Sequence, residues 1–465
     1  MPIQHFVGLP VVCCMLLVGM GQATDELPDV LRGSYENSFA YKTISERLPV
    51  ILTKVIDLLH REKINIGEQY GEGAREKLKG VNGQLSGLKS TMQRNKTLEP
   101  LTGAAPDIVL WNRLLDELTV EGQRPVWFSA PWLFVECYMY RKIREVLENS
   151  GELHDYDYFR QQKMDTLEAS LSAISLLGEH LLETVSDPAA LTPDQVQRAV
   201  SDFLGMSLWA NKNDLSITSG EHVSQEMSPL LQLVELNRFV LINDSARVFE
   251  QLQLLRSREH VRIDIVMDNA GFELFSDLCL ADLLVSLNIA QSMIFHIKAI
   301  PWYVSDTTQA DVQRMLQRML AADDKAALPR LAKRWQDYID SGLWRFEADP
   351  FWTTPLPFSR MASEASGLYT HLQAADLIIF KGDLNYRKLL GDRNWPHATR
   401  FCVSLEGFHP APLVALRTLK ADLVSGLTAE REALTADDPR WMISGEWALV
   451  QLCECADTPR RADEL

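Results

Sequence analysis

A change of hydrophobic period within residues 262–287, RIDIVMDNAGFELFSDLCLADLLVSL, restricts what this chain can fold into. The β-branched run of Ile263, Ile265 and Val266 is typical of a buried strand. After residues 268–271 the apolar residues recur at helical spacing, at Leu274, Leu278, Ala281 and Val285. The segment is therefore predicted to form a strand, a short polar turn and a helix that begins near Gly271.

The polar turn carries Asp268 and Asn269. In an open α/β sheet, ligands bind beyond the carboxyl ends of the strands, where such a turn lies. Side-chain oxygens suit hard divalent cations, and the free N–H groups of a helix N-terminus suit phosphate. An isolated Asp-Asn pair more often only caps the helix. Here Glu273 and Asp277 add acids on one helix face, which favours a site for a metal ion and a phosphate together.

Short apolar runs elsewhere predict further strands, at residues 239–242, 293–297, 377–380, 401–405 and 447–452. Helical segments separate most of them. This alternation predicts an α/β fold with a mainly parallel, Rossmann-like sheet flanked by helices. Residues 25–230 indicate an all-helical N-terminal subdomain, and residues 231–465 are assigned to the α/β part that binds metal and phosphate. Residues 1–24 are an apolar leader.

Aromatic residues concentrate in residues 127–144, which we expect to be the packing centre of the helical subdomain. Glu136 is a polar member of this segment and would need a partner if buried, for which Arg141 is a candidate. A structural role is favoured over a catalytic one for both. Residues 72–99 are polar and are predicted to form an exposed helix or loop.

Seven cysteines in 465 residues do not suggest a disulfide framework. Cys137, Cys279 and Cys402 lie in apolar segments and are predicted to be buried thiols. Cys453 and Cys455 form a C-x-C pair without a second Cys/His cluster, so a metal role for them is not expected. The net charge is −17 and there is no basic run, which argues against nucleic acid as a partner.

Two more predicted strands are followed by acids, Asp306 and Asp383. A parallel sheet would bring both to the same edge as Asp268 and Asn269, where two carboxylates and an amide oxygen form a partial shell for Mg²⁺ or Mn²⁺. Taken alone, Asp306 would be a turn residue and Asp383 a helix cap. Arg417 and Lys420 lie three residues apart on one face of a predicted helix, either as a solvated pair or as clamps for a phosphate.

Motifs of other chemistries are missing from the sequence. There is no G-x-S-x-G elbow, no H-E-x-x-H and no Walker loop. Its short glycine pairs do not follow a βαβ strand, so there is no dinucleotide fingerprint either.

Both ends of the sequence suggest in which cellular compartment the protein is located. Residues 6–23 are almost continuously apolar, as in a signal peptide, and residues 21–23 offer small side chains for cleavage. The last four residues, Ala-Asp-Glu-Leu, differ from the Lys-Asp-Glu-Leu retention signal only at the first position. The expectation is the lumen of the endoplasmic reticulum, against the alternative of a fortuitous tail and a cytoplasmic protein. No other segment is apolar and long enough for a stable membrane span.

Several motifs in order resemble the damage-control phosphatases, formerly domain of unknown function 89, in the eukaryotic subgroup that includes the acidic-residue (protein-glutamate) methyltransferase. They are SFAY from Ser38, WLFVECYMYR from Trp132, LWANKNDLS from Leu208, MDNAGFELFSDLCLADLL from Met267, WYVSD ending at Asp306, FKGDLNYRKL from Phe380 and RTLK from Arg417. The resemblance covers about residues 27–452. Only the leader and tail depart from the family, which is usually cytosolic.

The resemblance implies metal ligands at Asp268, Asn269 and Asp306, and catalytic roles for Asp268, Asn269 and Lys420. It implies substrate contacts at Glu273, Asp383, Leu384, Asn385, Tyr386, Arg387 and Lys420, with Glu273 at the position linked to S-adenosylmethionine. The family removes phosphate from sugar phosphates such as fructose 1-phosphate and fructose 6-phosphate with Mn²⁺, Co²⁺, Ni²⁺ or Mg²⁺. The role of Asp383 is assigned in two ways. Its position after a strand suggests a metal ligand, whereas the resemblance implies a substrate contact.

We therefore expect a metal-dependent phosphatase for small sugar phosphates. The rival hypotheses are an S-adenosylmethionine-dependent protein-glutamate methyltransferase and a sugar-phosphate binder without activity. Either water or Asp268 could be the nucleophile. The sequence leaves open the physiological substrate, the native metal and the oligomeric state.

Overall fold

A seven-stranded sheet forms the centre of the protein in the residues that the structure describes. The structure is a computed structural model and describes residues 26–213, 229–322 and 327–454. The strand order is β1-β7-β6-β5-β2-β3-β4. The strands are β1 Val240–Asn243, β2 Arg262–Val266, β3 Ser292–His296, β4 Trp344–Glu347, β5 Leu377–Lys381, β6 Leu413–Thr418 and β7 Ala448–Cys453.

Neighbouring strands are parallel except for β6 and β7. Val266 at the end of β2 is in register with His296 of β3 and with Phe380 of β5. The carboxyl ends of β2, β3 and β5 therefore lie at one edge of the sheet, which we call the upper edge. This arrangement confirms the predicted mainly parallel α/β fold.

Four of the five additional strand predictions are confirmed, one is wrong, and two strands were not predicted. The strands predicted near residues 239, 293, 377 and 447 are present, but residues 401–405 contain the helix Phe401–Ser404. Strands β4 and β6 were not predicted. The helix proposed for Arg417 and Lys420 is also wrong, because Arg417 lies in β6 and Lys420 in the loop after it. Short apolar runs do not distinguish helix from strand by periodicity alone, which accounts for both errors.

Helices dominate the chain before the sheet, as predicted. Ser38 caps the first of them, because its Oγ accepts a hydrogen bond from the N–H of Tyr41. A π-helical turn, Thr43–Arg47, follows, and Pro49 lies in the first turn of the next helix. These helices are α1 Phe39–Lys42, α2 Leu48–Arg61, α3 Lys63–Tyr70, α4 Glu72–Gln93, α5 Ile108–Glu117, α6 Trp132–Ser150, α7 Arg160–Ala169, α8 Leu171–Thr184 and α9 Pro193–Trp209.

The remaining helices connect the strands or cover them. They are α10 Pro229–Leu236, α11 Ser245–Arg256, α12 Phe272–Ser286, α13 Gln309–Leu320, α14 Leu328–Asp340, α15 Met361–Glu364, α16 Ser366–Gln373, α17 Gly382–Leu389, α18 Phe401–Ser404 and α19 Ala429–Glu432. None of the helices in the three described ranges is long and apolar enough to cross a membrane.

Apolar side chains pack on both faces of the sheet. One face, with Val266 and Phe380, packs with α1, α2, α4 and α6. The other face, with Ile265 and Ile379, packs with α8, α9 and α12. The sheet is thus the middle of three layers, and burial of both faces explains its nearly continuous apolar strands. The subdomain boundary near residue 230 stays a prediction.

Two pairings differ from those expected. Cys402 is not a thiol but forms a disulfide with Cys453, which joins α18 to β7. Cys137 and Cys279 are buried free thiols, as predicted. Arg141 pairs with Asp107 and Glu148, whereas Glu136 pairs with another arginine, described below. Cys13, Cys14, Cys455, the leader, the polar residues 217–227 and the last four residues lie outside the described residues.

Candidate active site

Two loops meet at the upper edge of the sheet. One follows β2 and carries Asp268 and Asn269, and the other follows β3 and carries Asp306. A β-bridge pairs Asn269 with Asp306. The N–H of Thr307 donates to the carbonyl oxygen of Asp268 at 2.8 Å, which joins the backbones of the two loops. The fold therefore brings together the three residues that the sequence proposed as metal ligands.

The side chains of these loops are buried and fixed by hydrogen bonds. Asn269 donates from Nδ2 to Asp268 Oδ2 at 3.0 Å. Its Oδ1 accepts from Ser305 Oγ at 2.6 Å. Lys298, which follows β3, lies 3.3 Å from Asp306 Oδ2 and donates to the carbonyl oxygen of Met267 at 2.9 Å. Lys298 also follows a predicted strand, but only acids at strand ends were predicted as site residues.

The donor atoms of Asp268, Asn269 and Asp306 fit a divalent cation. They supply two carboxylates and one amide oxygen, which is the oxygen-rich set preferred by Mg²⁺ and Mn²⁺. Among the described residues there is no cluster of three His, Cys, Asp or Glu side chains with the geometry of a metal site. The candidate set has only two acidic members, so water and phosphate oxygens would have to complete the coordination shell.

Gly382, at the start of α17, leaves space for one of these carboxylates. Its φ is +81°, in the left-handed region that favours glycine. A Cβ atom at this position would overlap the Asp268 carboxylate and would lie 2.9 Å from Asp268 Cβ. The backbone at the N-terminus of α17 therefore passes directly against Asp268, and no larger residue fits there without displacing it.

A pocket opens above the two loops. Its lining includes seven of the predicted site residues, namely Asp268, Asn269, Asp306, Asp383, Leu384, Arg387 and Lys420. The other lining residues are Phe39, Arg47, Trp132, Glu136 and Tyr303, and the first four of these belong to the N-terminal helical region. None of these five was predicted from the sequence as a site residue. Phe39 was quoted only within the SFAY family motif, whereas Trp132 and Glu136 belong to the aromatic segment that was interpreted as a packing centre.

Three predicted substrate contacts do not line the pocket. Asn385 donates from Nδ2 to the carbonyl oxygen of Lys381 at 2.8 Å and so lies beneath the start of α17. Tyr386 donates to Gln451 Oε1 at 2.8 Å and stacks on Phe401. Glu273 lies behind the two loops, below Asn269. These three side chains support the pocket from outside.

Arg387 is a buried cation with two acidic partners. Its Nη1 lies 2.5 Å from Glu136 Oε2, its Nε lies 2.8 Å from Asp392 Oδ1, and its guanidinium is 3.5 Å from the centroid of the Trp132 ring. Burial lowers the pKa of Arg387, but Asp392 and Glu136 outweigh this effect and hold the pKa well above its ordinary value. Arg387 therefore joins the helical layer to the upper edge of the sheet as a permanent cation.

Asp383 and the RTLK segment form the opposite wall. Asp383 Oδ1 accepts from Arg417 Nε at 2.7 Å and from the N–H of Lys420 at 3.2 Å. The other guanidinium nitrogens of Arg417 donate to the carbonyl oxygens of Leu423 and Ala421. Arg417 thus shapes the loop, and of the two cations that were paired in sequence only Lys420 lines the pocket.

Asn211 connects this wall to Asp268. Its Oδ1 accepts from Lys420 Nζ at 2.9 Å, and its Nδ2 donates to Asp268 Oδ2 at 2.7 Å. Asn211 was not predicted as a site residue and appeared only within the LWANKNDLS family motif. The sequence feature that could have drawn attention to Asn211 is the interruption of the helical periodicity after Trp209.

A buried ion pair lies beneath these residues. Lys381 Nζ lies 2.9 Å from Asp277 Oδ1 and 3.3 Å from Glu273 Oε1. Burial lowers the pKa of Lys381, but Asp277 and Glu273 together raise it above its ordinary value. Burial raises the pKa of Asp277 to about 7, although Lys381 opposes the shift. The acids four residues apart on α12 therefore form a charged layer under the site and do not enter the pocket.

Comparison with known proteins identifies the family. The model of the damage-control phosphatase ARMT1-like domain matches residues 43–434. The zebrafish (Danio rerio) protein called damage-control phosphatase ARMT1 is 44% identical over 433 residues, covering 91% of this chain and 96% of that protein. The human protein of the same name is 39% identical over 434 residues, covering 91% and 98% respectively.

A solved structure was also found. It is a DUF89 family protein from Pyrococcus horikoshii, with a TM-score of 0.37 and 16% identity, covering 69% of this chain and 86% of that chain. This structural similarity is too low to support a conclusion about this chain. The match over residues 43–434 and the identity to full-length relatives show that the chain belongs to the damage-control phosphatase ARMT1-like family.

Proposed function

We propose that this family member is a divalent-metal-dependent phosphomonoesterase that acts on small phosphorylated sugars such as fructose 1-phosphate and fructose 6-phosphate. One observation carries the proposal. A single pocket contains the two carboxylates and the amide of Asp268, Asn269 and Asp306 together with Lys420. Phosphoryl transfer is catalysed mainly by positioning and by charge stabilisation, and this pocket contains groups for both.

Each residue of the pocket has a proposed role that follows from its chemistry. Asp268, Asn269 and Asp306 would hold the metal, which when bound supplies a Lewis acid for a phosphoryl oxygen. Lys420 neutralises negative charge on the phosphate from the opposite wall. Asp383, next to Lys420, can accept hydrogen bonds from sugar hydroxyl groups. Asp268 and a water molecule remain the two candidate nucleophiles.

Protein-glutamate methylation is the second candidate and has less support. Its proposed S-adenosylmethionine contact, Glu273, does not line the pocket. A sulfonium donor would also need a binding surface of its own, and the sequence contains no glycine-rich nucleotide loop. The pocket instead combines oxygen ligands with cations, which suits a phosphate ester.

A direct assay separates the hypotheses. Purified protein with Mn²⁺ and fructose 1-phosphate should release phosphate, and Lys420→Ala should reduce the rate by about 100-fold because a charge-stabilising group is lost. Lys77→Ala, which removes a partly exposed lysine paired with Glu152, is the matched control and should behave like wild type. A parallel reaction with labelled S-adenosylmethionine and a protein acceptor should give no methylation. Methylation without phosphate release from any sugar phosphate would refute the proposal, and tight binding without turnover would favour the inactive binder.

We also propose that the protein resides in the lumen of the endoplasmic reticulum. The apolar leader and the Ala-Asp-Glu-Leu tail suggest it, and the Cys402–Cys453 disulfide supports it because disulfides persist in oxidising compartments. Asn95, exposed in an Asn-Lys-Thr sequon, should then carry a glycan that an endoglycosidase removes. Asn243, in an Asn-Asp-Ser sequon, is exposed as well. Protein from secretory cells that keeps Met1, lacks glycans and stays cytosolic would contradict this location.

A further inference from the structure

We propose that Glu273 and Asn211 are positioning residues that fix Asp268 and Asn269 and connect them to Lys420, without contacting a ligand themselves. The inference rests on the proposed metal site and gives Glu273 a different role from the one implied by family resemblance. Both side chains are buried, with exposures of 2% for Glu273 and 1% for Asn211, and neither lines the pocket.

One oxygen atom of Glu273 accepts hydrogen bonds, and the other lies beside a buried lysine without a hydrogen bond from any described residue. Oε2 accepts from Nδ2 of Asn269 at 2.8 Å and from Nδ2 of Asn211 at 2.6 Å. Oε1 lies 3.3 Å from Nζ of Lys381. The carboxylate is buried behind Asn269 and Asn211, so the geometry does not suit a ligand contact.

These hydrogen bonds determine the orientation of the Asn269 amide. Because Glu273 is an acceptor, it binds the NH₂ group of Asn269 and leaves Oδ1 on the opposite side, towards Ser305 Oγ. That oxygen is the atom that could bind a cation. Removing the negative charge behind the amide would weaken this orientation and reduce the polarisation of the ligand oxygen.

Asn211 forms hydrogen bonds with residues of both walls of the pocket. Its Nδ2 donates to Asp268 and Glu273, while its Oδ1 accepts from Lys420 and from Thr418 Oγ1. The NH₂ group of this buried amide therefore holds Asp268, and its oxygen atom holds Lys420. The candidate metal ligand and the phosphate clamp keep their spacing through this side chain.

The test measures Mn²⁺ binding to metal-free full-length protein by calorimetry, with no substrate present. Glu273→Gln keeps the size of the side chain but brings an NH₂ group against either an amide donor or Lys381. We expect it to weaken Mn²⁺ binding by about 10- to 100-fold, as is usual when a partner of a metal ligand is lost. Asn211→Ala should weaken Mn²⁺ binding similarly and also raise the KM for fructose 1-phosphate, since Lys420 loses its bond to the Asn211 side chain and keeps only the one to the main-chain carbonyl oxygen.

Asp282→Asn is the matched control, because Asp282 is another buried acid on α12. Its carboxylate accepts from Trp335 Nε1 at 2.9 Å and lies 3.1 Å from Arg334, away from the pocket. This variant should lower the unfolding temperature and leave Mn²⁺ affinity unchanged. Wild-type Mn²⁺ affinity in Glu273→Gln, or an equal loss in Asp282→Asn, would overturn the inference. Failure of wild-type protein to release phosphate would instead count against the proposed function, so the two failures are distinguishable.

Discussion

Asp268→Ala and Asp306→Ala should each reduce phosphate release by about 100-fold or more while the protein still folds, because each removes a charged oxygen ligand from the same cation. The fold should survive because the two loops are joined through their backbones, by the bond from Thr307 N–H to the Asp268 carbonyl oxygen and by the bridge between Asn269 and Asp306. Phosphate release and Mn²⁺ affinity are measured together with circular dichroism.

Asp57→Ala is the control for loss of a carboxylate. Asp57 lies on the surface of α2 and pairs with Arg61, with a side chain that is 60% exposed. Exposed pairs of this kind contribute little to stability, so this variant should match wild type in every measurement. Wild-type turnover and Mn²⁺ affinity in both site variants would show that the proposed site is wrong.

Gly382→Ala should abolish most of the phosphatase activity although it adds only a methyl group. The new Cβ overlaps the Asp268 carboxylate, so either that side chain or the start of α17 has to move. The left-handed backbone adds a cost of about 1–2 kcal/mol in folding free energy for a residue with a Cβ. Loss of Mn²⁺ binding and of turnover should therefore accompany a modest loss of stability.

Gly407→Ala separates these two effects. Gly407 has a φ of +82°, almost equal to that of Gly382, but an added Cβ there would have no neighbour within 4 Å. It should lose a similar amount of stability, measured by chemical denaturation, and keep its turnover. If Gly382→Ala retains turnover at the level of Gly407→Ala, the close approach to Asp268 has no functional importance.

The sequence was sufficient to predict the upper edge of the sheet. Asp268 and Asp306 each follow an apolar run, and parallel strands bring such positions together whatever the details of the helices. Strand β6 was missed because the spacing of Arg417 and Lys420 suggested one face of a helix. Pairing with β5 and β7 makes this segment a strand, and local periodicity does not show which segments pair with each other.

The parts of the site that were missed come from distant segments. Arg47 and Trp132 line the pocket from helices that precede the sheet, and no local pattern distinguishes a residue above a site from one in a core. Glu136 shows the same difficulty. Arg141, five residues away, was the nearest candidate partner in sequence, but the observed partner is Arg387, 251 residues away.

These long separations have a consequence for synthesis of the protein. The ion pair between Glu136 and Arg387 and the hydrogen bond between Asn211 and Lys420 span 251 and 209 residues. Lys420 emerges from the ribosome only after most of the chain has been translated, and loops this long close late in folding. The pocket therefore stays incomplete until residue 420 has been synthesised, and we expect recovery of activity after denaturation to report the last stage of assembly rather than the formation of individual helices.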